Sequence, residues 1–221
     1  MFYGRKDETT MEKFGFGLMR LPTLDGDDKK IDLDLFREMA DAFFAAGGTY
    51  FDTAYPYHGG FSEQALREVV VKRYDRSTFT VADKMPMFDI NTEADLQPIF
   101  DEQLQRCGVT YFDYYMLHCL TSGNYGKVQS SNAFAFIAQK KAEGKIRRIG
   151  FSFHDTPELL EQILSEHPEV EFVQLQLNYL DWEDSGVRAK ECYEFHTSDS
   201  PPHPHLSQQN HFASVRFCLC S

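Results

Sequence analysis

Four side chains in this sequence have the chemistry to place a proton on a developing oxygen charge: Asp52, Tyr57, Lys84 and His118. Each lies at the C-terminal end of a short apolar run, or just past it. The runs are Phe51-Asp52-Thr53-Ala54-Tyr55-Pro56-Tyr57, Val81-Ala82-Asp83-Lys84 and Tyr115-Met116-Leu117-His118. Hydride delivery to a carbonyl carbon leaves charge on the oxygen, so a donor must supply a proton there. A phenol with an ordinary pKa of about 10 is a weak donor at neutral pH. A neighbouring ammonium favours the phenolate and lowers that pKa. A carboxylate keeps the ammonium charged and aimed, and a neutral imidazole donates to the substrate oxygen. Taken singly, each residue has a commonplace role: a turn-capping aspartate, a rim tyrosine, a core histidine. Their conjunction at three successive strand ends points to carbonyl reduction.

Those ends must be brought together by the elements around them. The hydropathy pattern predicts strands over Lys13–Pro22, Tyr50–Ala54, Phe79–Met85, Phe112–Leu120, Ile146–Phe153 and Phe172–Leu177. Helices are predicted over Asp32–Ala46, Ser62–Tyr74, Thr92–Cys107 and Asn132–Glu143, from Thr156-Pro157-Glu158 onward, and over Val187–Glu194. Leu35/Phe36, Met39/Ala40 and Phe43/Phe44 share one face of the first helix. Thr92 and Thr156 are predicted N-caps, and Gly108 a helix stop. Six alternations of strand and helix require a parallel sheet, either doubly wound or a barrel. The only glycine-rich turn near the first strand, Gly15-Phe16-Gly17-Leu18-Met19-Arg20, lacks the third glycine of a dinucleotide fingerprint and opens no helix. The expected fold is therefore an α/β (β/α)8 TIM barrel, truncated to about six β/α units. In a parallel barrel all C-terminal strand ends open on one face, which gathers the four residues at one mouth.

Composition narrows the function classes. The 221 residues carry 22 Lys+Arg against 34 Asp+Glu, a formal charge of −12. A field of that sign repels phosphate backbones and anionic lipid, so neither nucleic acid nor membrane is an expected partner. No apolar run approaches the ~20 residues of a membrane span. Cys107, Cys119, Cys192, Cys218 and Cys220 form no C-x-x-C pair; they read as reduced thiols of a cytoplasmic protein. From about Phe195 the composition changes to a stretch rich in histidine, proline and serine without lysine or glutamate. The predicted organisation is a partial barrel over 1–194 and a disordered tail over 195–221. The tail histidines 196, 203, 205 and 211 have no metal-site context, and no metal is expected.

The segments FDTAYPY, VADKMP and YYMLHCL resemble the aspartate–tyrosine, lysine and histidine signatures of the aldo-keto reductase family. FGFGLMRLP, KAEGKIRRIGFSFHD and FVQLQLNYLD are similar to its first, fifth and sixth strands. The resemblance runs from about residue 13 to about 194. It implies a metal-free barrel that binds NADPH, or less often NADH, and reduces aldehydes or ketones. It also implies that Tyr57 is the proton donor, Lys84 its pKa modulator, Asp52 the lysine's partner and His118 the group that orients the carbonyl. Ser152 and Gln174 match the residues that hold the nicotinamide carboxamide, and Gly17 and Met19 match the first-strand end beside the nicotinamide. The asparagine that usually follows the family serine is replaced by Phe153, with His154 next, so His154 is a candidate for that contact. The family's seventh and eighth strands and its phosphate-gripping segments have no counterpart in this sequence. The alternative expectation is an inactive truncated reductase fragment or non-enzymatic binding remnant, with self-association through open barrel edges.

Overall fold

A computed structural model describes residues 14–177 and 188–197. Its frame is one sheet of six parallel strands in sequential order: β1 (Gly15–Gly17), β2 (Tyr50–Asp52), β3 (Thr80–Met85), β4 (Phe112–Leu120), β5 (Ile146–Phe153) and β6 (Phe172–Leu175). The registers set Gly17 beside Asp52, Asp52 beside Ala82, Lys84 beside Met116, Leu117 beside Phe151, and Ser152 beside Gln174. Among the described residues β1 and β6 each pair on one side only. The sheet is six units of a (β/α) barrel, as the alternating pattern predicts.

Helices cover the outer face, because each helix carries one apolar stripe that must be buried. The first, α1 (Leu33–Ala45), is capped by Asp32, whose carboxylate accepts from the Asp34 and Leu35 N–H groups. Phe36 and Ala40 are fully buried, but Leu35 and Met39 are 43% and 40% exposed, so the buried stripe is narrower than the sequence predicts. The helix expected over Ser62–Tyr74 splits into α2 (Ser62–Leu66) and a π-helical turn, Arg67–Val71. After it come α3 (Leu96–Cys107), α4 (Tyr125–Ser130), α5 (Ala133–Ala142), α6 (Pro157–Glu166) and α7 (Ala189–Thr197). Of these, α4 has no counterpart in the sequence reading.

Two predicted caps resolve differently. Asp95 accepts from the Thr92 and Asn91 N–H groups, which closes a capping box ahead of α3. Thr156 makes no side-chain capping bond; Asp155 accepts the Thr156 N–H instead and also binds Ser122. Thr156 is nonetheless the N-cap residue of α6 by position, as predicted. Gly108 ends α3 at φ 70°, as its position predicts. Gly150 answers a different demand: a Cβ there would lie 2.4 Å from the Phe172 carbonyl oxygen, so β5 and β6 reach their spacing only with glycine.

The first strand is three residues long where ten are predicted. After Gly17 the chain turns away: the Leu18 N–H donates to Asp52 O, and the Leu21 N–H donates to His58 Nε2 at 2.9 Å. The core between sheet and helices is dense in aromatic rings. Phe16, Phe43 and Phe44 ring Phe51 at 5.3–5.7 Å, and Phe100 meets Phe112 and Tyr115 at 5.1–5.8 Å. Contacts of this kind add to area burial and hold the strands in register. Helix α7 runs on through Thr197; the rest of the predicted tail, with Cys218, Cys220 and the later histidines, lies outside the described residues.

Candidate active site

The parallel order places the ends of β2, β3 and β4 side by side. Asp52 is the last residue of β2, Lys84 the fifth of β3 and His118 the seventh of β4. Tyr57 follows five residues after Asp52, opening the 3-10 turn Tyr57–Gly60. His58, Gly59 and Gly60 there all have positive φ, which folds Tyr57 back over the strand ends.

Lys84 and Asp52 are 1% and 2% exposed and form a direct ion pair. The Lys84 ammonium also donates to Thr53 O at 2.8 Å and to the Tyr57 hydroxyl at 3.4 Å, with Nζ 5.0 Å from the Tyr57 ring centroid. Three oxygens thus surround an ammonium that has three protons to give. Asp52 accepts on its other oxygen from the Tyr50 hydroxyl at 3.2 Å and from Gln174 Nε2 at 3.1 Å. A buried ion pair is tolerable when its remaining lone pairs and protons are met in this way.

The His118 ring stands edge-on to Tyr57, with centroids 5.8 Å apart, and Phe88 closes its other side at 5.8 Å. Its Nδ1 is enclosed without a hydrogen-bond partner. Burial, aided by the Lys84 charge, lowers its pKa to about 3, so His118 is the neutral imidazole that donation to an oxygen requires. The unfolded ring titrates near 6.5. Below that pH the unfolded state binds a proton that the fold refuses, so stability falls as pH drops from about 6.5 towards 3. In a proton NMR titration the His118 ring is expected to stay neutral through pH 5. A His118 midpoint above 6 would show that the ring is not desolvated.

All four predicted residues therefore meet at one mouth. Gly17 lies beside Asp52 at the β1 end, and Met19, 40% exposed, follows it. Ser152 accepts the Cys119 N–H at 2.7 Å, which leaves its hydroxyl proton to donate elsewhere. Gln174 stands beside Ser152 across the β5–β6 register, with its amide nitrogen on Asp52. His154 follows β5, and burial lowers its pKa as well. A carboxamide needs a donor and an acceptor; the Ser152 hydroxyl and the Gln174 carbonyl oxygen are groups of those kinds, so this end of the mouth fits a nicotinamide.

Behind β3 lies a cluster that the sequence reading missed. Glu63, Asp83 and Cys107 are fully buried, with their donor atoms all within 4.8 Å of one another. The one local signal was Asp83, an acid standing within the apolar run of β3; no local motif connects positions 63, 83 and 107.

Fold and mouth together define a (β/α)-barrel protein with a titratable cluster at the C-terminal ends of its strands. The sequence matches the profile of the aldo/keto reductase family over residues 13–199, and the chain belongs to that family. An aldo-keto reductase of Mycolicibacterium smegmatis is 29% identical over 160 residues, covering 72% of this chain and 52% of that protein. One from a Mycobacterium species (strain KMS) is 30% identical over 146 residues, covering 66% and 47%. The chain thus spans about half the length of the curated relatives it matches. Among solved structures, the Bacillus halodurans aldo-keto reductase in its holo form superposes with a TM-score of 0.60 at 24% identity, covering 75% of this chain and 53% of that one. The Klebsiella pneumoniae aldo-keto reductase in complex with NADPH superposes at 0.57 with 22% identity, covering 74% and 53%.

Proposed function

We propose that the protein reduces aldehydes or ketones to alcohols with NADPH, with Tyr57 as the proton donor. One observation carries the reading: the Lys84 ammonium sits between the Asp52 carboxylate and the Tyr57 hydroxyl, beside a neutral His118. A bound reduced nicotinamide supplies the hydride. Lys84 stabilises the phenolate that Tyr57 becomes on giving up its proton. Asp52 fixes the ammonium, and His118 orients the carbonyl oxygen towards Tyr57. Ser152, Gln174 and His154, with Gly17 and Met19 facing them from β1, hold the nicotinamide end. NADPH is the cofactor proposed, with NADH the alternative; a family member of solved structure, from Klebsiella pneumoniae, is bound to NADPH. The free thiols of Cys107, Cys119 and Cys192 accord with a cytoplasmic setting, and among the described residues no helix is long and apolar enough to cross a membrane.

The test is calorimetric titration of the chain with NADPH and NADH, followed by NADPH oxidation against a panel of small aldehydes and ketones. Micromolar NADPH binding with carbonyl-dependent oxidation would support this reading. A second reading, in which the chain is an inactive binding protein that associates through its strand edges, is favoured by the one-sided pairing of β1 and β6. Loss of nicotinamide binding together with dimers or larger species in light scattering would replace the first reading with the second.

A further inference from the structure

Lys84 is held by more than its side chain. The β2 strand ends at Asp52, opposite Ala82, so beyond Ala82 that edge of β3 has no strand beside it. Two buried side chains take over: Asp83 Oδ1 accepts the Lys84 N–H at 2.8 Å, and Gln103 Nε2 donates to Lys84 O at 3.0 Å. Gln103 is itself fixed by the Tyr115 hydroxyl. The peptide that aims the ammonium at Tyr57 is thus clamped from the layer between sheet and helices.

Asp83 has a second carboxyl against it. Glu63 Oε2 accepts from Arg106 Nη1 at 3.1 Å, whereas Oε1 is enclosed and has no donor facing it. Asp83 Oδ2 is met by the Cys107 thiol at 3.5 Å. Two ionised carboxylates side by side in a dry layer repel each other, and Glu63 Oε1 would remain an orphaned anion. A proton on Glu63 removes both difficulties, because its O–H then donates to Asp83.

We infer that Glu63 and Asp83 share one proton, and that this pair makes Asp83 a positioning residue for Lys84. Glu63 carries the proton and donates it in a hydrogen bond; Asp83, ionised, receives the bonds from Glu63, Cys107 and the Lys84 N–H. The other charged and titratable groups packed on the pair are Arg106 with its second partner Glu102 on α3, Cys107 on α3, Tyr115 on β4, and the Lys84 ammonium on β3. Burial raises both acids above the ordinary carboxyl range, and the repulsion of Asp83 adds to it at Glu63, so Glu63 is the one raised further. The catalytic consequence rests on the role proposed above for Lys84; the shared proton does not.

The test reads the pair without turnover. Infrared spectra of the chain at neutral pH are expected to show a protonated buried carboxyl stretch in the parent protein and to lose it in Glu63→Gln. The Lys84 amide resonance, followed by heteronuclear NMR, is expected to titrate as Asp83 ionises, with a midpoint raised above that of an ordinary aspartate. Glu63→Gln keeps a donor at Asp83 and should preserve that midpoint, whereas Glu63→Met removes the donor and should raise it. Where Glu63→Met does not fold, the parent and Glu63→Gln curves still decide. A Lys84 amide flat from neutral pH down through the ordinary aspartate range, no infrared band at neutral pH, or equimolar zinc retained by protein purified without chelator would each overturn the inference. A silent amide alongside intact NADPH binding sinks the pair and spares the reductase reading. An intact pair without NADPH binding does the reverse.

Discussion

Replacing Tyr57 with phenylalanine is expected to lower carbonyl reduction by a factor of about 10²–10⁴, the range typical of general acid catalysis. The ring is retained, so its packing against His118 and its place over Lys84 survive. What disappears is the hydroxyl 3.4 Å from the ammonium, the one group at the mouth placed to pass a proton to an oxygen with Lys84 behind it. The phenol contributes in the transition state and little to nicotinamide binding, so kcat should fall while the cofactor dissociation constant stays within about threefold. The measurement is steady-state kinetics, in whichever length of the protein carries turnover, with fluorescence titration of NADPH alongside. A variant that keeps more than about a tenth of the rate would show that another group is the acid.

The second large effect is on stability. Lys84→Met should destabilise the fold by about 3–5 kcal/mol, the cost of stranding a buried carboxylate when its partner is removed. Asp52 would retain Tyr50 and Gln174 as donors, at 3.2 and 3.1 Å, but no positive charge. The double variant Asp52→Asn, Lys84→Met should recover most of the loss, because an amide can accept from the same two donors without carrying charge. Urea denaturation of the four proteins in this cycle provides the check. A Lys84→Met cost below about 1 kcal/mol would mean that water reaches Asp52 and that the pair is not dry.

How far the site was legible in the sequence depended on whether its residues announced themselves locally. Strands β4 and β5 match their predicted limits residue for residue, because both are rich in aromatic and aliphatic residues and run into polar turns, Thr121-Ser122-Gly123-Asn124 and His154-Asp155. Asp52, Lys84 and His118 were readable as strand-end residues, and Tyr57 from its spacing after Asp52. The predicted β1 overruns because Phe14–Met19 is apolar; past Gly17 the chain leaves the sheet, and the Leu21 N–H donates to His58, 37 residues away. The helix α4 was hidden by Thr121-Ser122-Gly123-Asn124, which reads as a loop and is in fact the turn that leads into it. Asp83 was noticed only as the neighbour of Lys84, since its partners come from α2 and α3. Gln174 was marked for the nicotinamide, and nothing near it in the chain foretells that its amide also donates to Asp52.

The sequential strand order also sets the order in which the site is assembled. Every strand pairs with the one synthesised just before it, so each β/α unit docks on a template already made, and contacts between successive units close loops of modest length. The Lys84–Asp52 pair spans 32 positions and forms once three strands exist. The bond from Gln174 to Asp52 spans 122 positions and waits until β6 has docked. During synthesis from the N-terminus, ammonium and carboxylate can therefore meet early, while the β5–β6 end of the mouth is the last part to acquire its shape. A chain released before β6 would hold the Lys84–Asp52 pair without the Gln174 donor that completes the second oxygen of Asp52.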